Sequence, residues 1–201
     1  MYVPKNFEIN DDEKIISFIK KYNFGVMITY YDDEFRTTHL PMVYKKEEDG
    51  EYLYGHMAIA NDHWKIAKNR KTLCVFDGPH HYISPKWYNI SESVPTWDYS
   101  TVHVQGIFEL LDLGENVTIL KEMLHFYLID NDMQERMEEG YFKNMSNGVK
   151  AFRIKIEQKI CKFKMSQNRS VADRIKIIEN LRKIRSQDAN NVADMIEKEM
   201  E

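Results

Sequence analysis

Cysteine is scarce in this 201-residue chain, which holds two, Cys74 and Cys161. They stand alone with no partner spacing, so they build neither a disulfide framework nor a metal signature and read as small buried hydrophobes. No stretch approaches the roughly 18 consecutive apolar residues that a membrane-spanning helix needs. The opening Met1-Tyr-Val-Pro-Lys-Asn-Phe7 has no apolar signal-peptide core. These absences together lead to the expectation of a cytoplasmic protein. Also missing are G-x-G-x-x-G, the phosphate-binding G-x-x-x-x-G-K-S/T and the nucleophile elbow G-x-S-x-G. No His–Cys or His–carboxylate spacing matches a metal signature, which weighs against hydrolase and metalloenzyme readings.

Proline is also sparse, and it is unevenly spread. Three of the five prolines fall between Gly78 and Tyr99, together with two tryptophans, three tyrosines and two histidines. A plain connection between strands would draw on Gly, Ser, Asn and Asp instead. Large rings crowded around prolines suggest a rigid surface for something flat, or else an aromatic plug over a barrel end. The hydrophobic content of 43% and charge of 30% are those of an ordinary globular domain. The net charge of −4 conceals an asymmetry, because Lys150–Arg185 carries 12 Lys/Arg against Glu157, Asp173 and Glu179. Such a segment serves an anionic ligand or nucleic acid, or docks on the acidic remainder of the chain.

Asn10 or Asp11 caps an expected helix over Asp12–Tyr22, with Ile15, Ile16, Ile19 and Tyr22 inward. Short strands follow at Val26–Tyr30, Arg36–Tyr44 and Tyr52–His56, with turns at Asp32-Asp33 and Glu48-Asp49-Gly50. A short helix is expected within Ala58–Asn69, capped by Asn61 or Asp62. Further strands are expected at Thr72–Phe76, Val102–Leu110, Val149–Ile156 and Ile160–Met165, with Gln158 in or near a bulge or turn. Helices are expected over Gly114–Ile129, Met133–Met145, Ser170–Arg185 (opened by the capping-box-like Ser170-Val-Ala-Asp173) and Asn190–Met200. Six or seven strands interspersed with helices, without βαβ alternation, predict a mainly-β fold with α, a small barrel carrying helices outside. The one plausible boundary lies near Gln167–Arg169. It separates a barrel domain over 1–168 from a helical extension over 169–201, packed on the barrel or on a dimer partner.

Three strand ends gather small and polar residues: Thr37-Thr-His-Leu-Pro41, Gly55-His-Met-Ala-Ile-Ala-Asn61 and Lys164-Met-Ser-Gln-Asn-Arg169. Hydroxyls, amides and backbone N–H groups at strand ends suit an oxyanion such as phosphate, and Lys164 and Arg169 supply charge. Turns and caps use the same residues. A lone strand histidine such as His39, His56 or His103 is more often a hydrogen-bonded packing residue than a ligand contact.

Five ordered motifs resemble those of the PaiB family, described as FMN-binding negative transcriptional regulators linked to protease synthesis and sporulation. They are Gly55-His-Met-Ala-x-Ala-Asn-x-x-Trp64, Val75-Phe-x-Gly-Pro-x-x-Tyr-Ile-Ser-Pro-x-Trp-Tyr88, Val94-Pro-Thr-Trp-x-Tyr99, Val102-His-x-x-Gly106 and Lys164-x-Ser-Gln-Asn-Arg169. The opening Met1-Tyr-x-Pro-x-x-Phe7 and the triplet His39-Leu-Pro41 also look like the family, and the resemblance runs from Met1 to about Leu181. It implies an FMN-binding split β-barrel, homodimeric, with FMN in grooves between subunits. By that analogy Arg36, Thr38, His39, His56, Ala58 and Asn61 lie near the phosphate. Tyr82, Ser84 and Trp87 lie near the isoalloxazine or the dimer seam, and Lys164, Ser166 and Gln167 form the third polar strand end. Asp62 stands where the family often has proline and Asp98 where it often has asparagine, and a carboxylate near a phosphate groove would oppose binding. DNA is an expected partner of a regulator, although no helix-turn-helix, ribbon or zinc module is recognisable. A flavin-dependent oxidoreductase on a small substrate and a cofactor-free dimeric interaction protein are the alternative readings.

Overall fold

The computed structural model describes residues 1–89, 93–127 and 146–200. The helix expected over Met133–Met145 lies outside the described residues. Asp11 starts the first helix, α1 (Asp12–Lys21), by accepting the Lys14 N–H on its carboxylate at 3.1 Å. Ile15, Phe18 and Ile19 form the buried stripe of α1, with Phe18 in place of the expected Ile16.

Two strands, β2 (Phe24–Tyr31) and β3 (Glu34–Pro41), form a hairpin whose register pairs Tyr31 with Glu34. Asp32 and Asp33 make the two-residue turn at φ 51° and 62°. That is the doubly left-handed geometry that suits the twist of a hairpin, and aspartate tolerates it better than most residues. A second hairpin joins β4 (Val43–Glu47) to β5 (Gly50–Ala58), with Glu47 opposite Gly50. A five-residue helix, α2 (His63–Ala67), leads into β6 (Lys71–Ile83), followed by β7 (Thr96–Leu110), α3 (Leu113–Tyr127) and β8 (Val149–Lys164). The chain closes with α4 (Val171–Ile184) and α5 (Gln187–Lys198). Ser170 caps α4 by accepting the Asp173 N–H at 3.1 Å, as its capping-box-like sequence predicts. Ser186 caps α5, so this helix begins three residues before the expected Asn190.

The hydrogen-bonded path through the sheet runs β3-β2-β6-β7-β8-β5-β4, with a short β1 (Glu8–Ile9) added antiparallel to β8. The path is open and ends on β3 and β4. Three strands are much longer than their sequence suggests. The strand expected over Thr72–Phe76 stops before Gly78-Pro79, yet β6 runs through both residues. The glycine is there for close approach, because a Cβ on Gly78 would lie 2.5 Å from Ser100 Oγ and 2.6 Å from the Phe18 ring. Likewise β8 continues through Gln158, whose exposure together with that of Glu157 mimics a turn.

The chain forms two compact units. One comprises Met1–Phe18, Asp77–Val102 and Ile160–Glu201, and the other Ile19–Phe76 and His103–Lys159. In the first, Phe18 packs on Phe163 at 5.1 Å, and Lys14 pairs with Glu199. There α4 and α5 pack on each other, and Ile177, Leu181, Val192 and Ile196 are fully buried. In the second, Tyr52, Tyr54, Leu111, Ile119, Met123 and Ala151 form one core cluster. Phe108 stacks on Phe152 there at 4.7 Å. Among the described residues, no helix is long and apolar enough to cross a membrane.

Candidate functional site

Within the second unit, the end of β5 turns back through the Asn61 N–H to Ala58 O bond at 2.9 Å and delivers Asn61 and His63 against β3. The His63 main-chain N–H donates to Asn61 Oδ1 at 3.1 Å, which fixes the amide. Asn61 Nδ2 must then donate, and it does so to Thr38 Oγ1 at 3.1 Å. Thr38 Oγ1 also lies 2.8 Å from His63 Nδ1. The His63 ring is 2% exposed, and its Nε2 has no hydrogen-bond partner among the described residues. Burial pushes the imidazole pKa down from its ordinary value, Asp62 opposes this and the Arg36 charge adds to it, so the neutral ring is favoured. Arg36 lies two residues before Thr38 and therefore on the same strand face. Its guanidinium is half exposed and meets Glu34 at 3.1 Å. The guanidinium and hydroxyl on one face of β3, with the Asn61 amide bonded to that hydroxyl, form a donor set for an oxyanion.

A second constellation lies in the first unit, on β7 and the end of β8. Asp98 is 0% exposed. Its carboxylate accepts from Ser166 Oγ at 2.6 Å and from Lys164 Nζ at 3.3 Å. Burial raises its pKa, and the two donors oppose that rise. Lys164 Nζ donates as well to Thr96 Oγ1 at 2.7 Å and to Trp97 O at 2.5 Å. Nearby, Trp97 lies 6.1 Å from the His80 ring and 6.3 Å from the Tyr82 ring, and Trp97 and Tyr82 are both exposed.

A family model described as "Putative FMN-binding domain" matches residues 1–158. The protease synthase and sporulation protein PAI 2 of Bacillus subtilis (strain 168) is 33% identical over 174 residues, covering 85% of this chain and 84% of that one. The chain belongs to the PaiB family. Two solved structures share its fold. The flavocytochrome Anf3 from Azotobacter vinelandii has a TM-score of 0.63 at 14% identity, over 81% of this chain and 72% of that one. The FAD and heme binding protein from Mycobacterium smegmatis has a TM-score of 0.60 at 9% identity, over 78% and 73%. The fold is thus the mainly-β split barrel with helices that the PaiB motifs imply, in a sheet whose hydrogen-bonded path is open.

The PaiB motif residues divide between the two units. Thr38 and Asn61 come together, with Ala58 making the turn that places Asn61, and Arg36 lies on the same face of β3 as Thr38. His39 projects from the opposite face of β3 and stacks on Phe24 at 6.4 Å. His56 rests against Met123 with Nδ1 3.3 Å from the sulfur, a packing role that burial reinforces by lowering its pKa. Ser84 caps the 3-10 turn Pro85–Trp87 by accepting the Lys86 N–H at 3.3 Å, and the Trp87 side chain lies on that turn. Lys164 and Ser166 are spent on Asp98. Gln167 is spent on the backbone, donating to Phe163 O at 2.6 Å and accepting the Met165 N–H at 2.7 Å. This third polar strand end therefore braces its own turn. The Asp98 carboxylate, which would be adverse beside a phosphate, meets an ammonium and a hydroxyl in the same unit. His63 was missed by sequence reasoning. Its one signal is a histidine two residues past the capping Asn61, at the buried start of a helix. Among the described residues, no group of three or more His, Cys, Asp or Glu is placed to hold a metal ion. A surface cleft of about 630 Å³ lined by Lys20, Tyr44, Lys45, Lys121, His125 and Phe126 lies in the second unit and includes none of the sequence-predicted residues.

Proposed function

We propose that this chain is an FMN-binding regulator of the PaiB type, which represses transcription in a flavin-dependent or partner-dependent manner. The observation that carries the reading is the donor set of Arg36 and Thr38 on β3 with Asn61 from the turn after β5, backed by the buried His63, in a chain of an FMN-binding family. These groups fit a phosphate, which takes hydrogen bonds from hydroxyl, amide and guanidinium together. Bound FMN would supply a flat, redox-active, coloured ring system. In the first unit, the exposed Trp97 and Tyr82 offer ring surface of the sort a second copy of the chain covers.

A homodimer belongs to the same proposal. β3 lies at an end of the sheet path, and Phe24, Tyr30, Tyr31 and Phe35 on the β2–β3 hairpin are exposed. An exposed aromatic cluster of this sort on a sheet edge is commonly covered by a partner. Action through a ligand or protein partner is favoured over direct DNA contact by the state of α4. Its Arg182 is engaged by Asp194 at 2.6 Å and Glu197 at 3.0 Å, so its charge is largely cancelled by α5. A cytoplasmic setting completes the proposal.

The test is a titration of the purified protein with FMN, followed by flavin fluorescence and thermal shift, with its mass in solution measured alongside. Saturable quenching and a mass near twice the 24.0 kDa of the chain are expected. No quenching and no thermal shift refute flavin binding. Flavin binding accompanied by NAD(P)H oxidation would favour an oxidoreductase instead. Salt-dependent retardation of promoter DNA that is lost on neutralising Arg182, Lys183 and Arg185 would support direct DNA contact instead.

A further inference from the structure

The hydroxyl of Thr38 has one proton and two lone pairs, and its surroundings decide where the proton points. One lone pair is taken by Asn61 Nδ2, whose donor role is fixed because Asn61 Oδ1 already accepts the His63 main-chain N–H. The outcome then depends on His63. If its proton sits on Nε2, Thr38 donates inward to Nδ1, and a buried N–H is left with no acceptor. If the proton sits on Nδ1, that N–H donates to Thr38 Oγ1 across 2.8 Å, and Nε2 is left as an unprotonated lone pair. An orphaned buried N–H is the rarer and costlier defect. The Arg36 charge felt by the ring also favours a lone pair over a second N–H. With Nδ1–H donating, both lone pairs of Thr38 are filled and its O–H has no role left inside the protein.

We infer that His63 is a positioning residue that holds its proton on Nδ1 and so commits the Thr38 hydroxyl to donate outward, to an oxyanion of the ligand beside Arg36. This rests on the flavin reading for the identity of the ligand, but not for the tautomer. Protonation of His63 would add a proton at Nε2 and leave Nδ1–H in place. The commitment of Thr38 is therefore independent of the charge state of the ring, and of the Asp62 and Arg36 charges that bear on it.

The experiment has two arms. In the first, the ligand-free protein carrying ring-¹⁵N histidine is examined by two-bond ¹H–¹⁵N correlation near pH 7, and the His63 ring is assigned by its loss in His63→Asn. The Nδ1–H pattern is expected, and an Nε2–H pattern overturns the inference. In the second, FMN and riboflavin are titrated against the parent, Thr38→Val, His63→Leu and His63→Asn, with each fold checked by thermal melt. Thr38→Val and His63→Leu should each lower the affinity for FMN roughly tenfold to a hundredfold and leave that for riboflavin unchanged. His63→Asn places an amide N–H where Nδ1–H stands and should bind FMN within about threefold of the parent. A folded His63→Leu that binds FMN like the parent overturns the inference even if the tautomer is as expected. If the parent binds no flavin, the FMN reading falls, and the first arm alone decides the inference.

Discussion

Replacing Asp98 by asparagine is expected to leave the protein as stable as the parent, or slightly more stable, at pH 7, although Asp98 is the buried half of an ion pair. The carboxylate is 0% exposed, whereas the Lys164 side chain retains 20% exposure and two further acceptors. An asparagine in the same pose would accept from Lys164 Nζ through Oδ1 and donate to Ser166 Oγ through Nδ2, which keeps both contacts, although the Ser166 O–H gives up its acceptor. What disappears is the cost of holding a carboxylate away from water. That cost exceeds the help from Ser166 and Lys164, since burial is the largest influence on Asp98 and moves its pKa upward. Exchanging buried ion pairs for well-fitted neutral groups is often neutral or stabilising. We expect a change between zero and about +1 kcal/mol, or up to about 4 °C in Tm for a chain of this size.

The pH dependence follows from the direction of the shift. An acid whose folded pKa lies above its unfolded one binds its proton more tightly in the native state, so its contribution to stability falls as pH rises through that interval. Asp98→Asn should therefore show its greatest advantage above the raised Asp98 pKa and lose it below the ordinary aspartate range. Urea melts from pH 3 to pH 8 measure this directly. A loss of more than about 2 kcal/mol at pH 7 would refute the reasoning and make the Lys164 pair a net source of stability. Asp98→Ala is the contrast, expected to cost about 2–4 kcal/mol because Ser166 and Lys164 lose an acceptor and a void remains.

Other perturbations probe the rest of the fold. Asp173→Ala should cost about 1–3 kcal/mol by chemical denaturation, since its carboxylate accepts from Asn89 N and Nδ2 at 2.7 and 2.9 Å and from Ser170. The bond from the Asn89 main chain leads the groups that hold the Asp173 pKa down, so this contribution is present above the ordinary aspartate pKa and lost as pH falls through the depressed one, opposite in sign to Asp98. Gly106→Ala should abolish soluble expression or cost roughly 3 kcal/mol or more in a thermal melt, because its Cβ would lie 2.2 Å from Lys155 O. Phe108→Ala should cost about 3–5 kcal/mol in the same assay, as it empties a fully buried ring site stacked on Phe152.

Much of the fold was legible because local chemistry agreed with the tertiary result. Asp11 and Ser170 cap the helices their sequences announce, and Asp32-Asp33 and Glu48-Asp49 turn the hairpins. Legibility failed where a residue chosen for space looked like one chosen for conformation. The expected strand Thr72–Phe76 stops short of Gly78, whose absent Cβ makes room for Ser100 and Phe18 inside a continuous strand. At the candidate site, the Thr38 and Asn61 motifs were read together and the structure joins them. The third polar strand end, Lys164 to Gln167, has the composition of an anion cradle but folds onto itself. The positive φ of Ser166, 57°, turns its hydroxyl to Asp98. Composition cannot distinguish a donor offered to a ligand from a donor satisfied next door. His63 was missed for a related reason, since its partner Thr38 is 25 residues away.

The bonding of Lys164 also bears on its reactivity. Acylating and alkylating reagents must reach the side-chain nitrogen itself. With the Thr96 hydroxyl, the Trp97 carbonyl and the Asp98 carboxylate all receiving its N–H groups, the nitrogen is enclosed by protein oxygens and a reagent must first break that bonding to reach it. In a lysine-labelling footprint read by mass spectrometry, Lys164 should be among the last to be modified and should mark by its silence that this turn is closed.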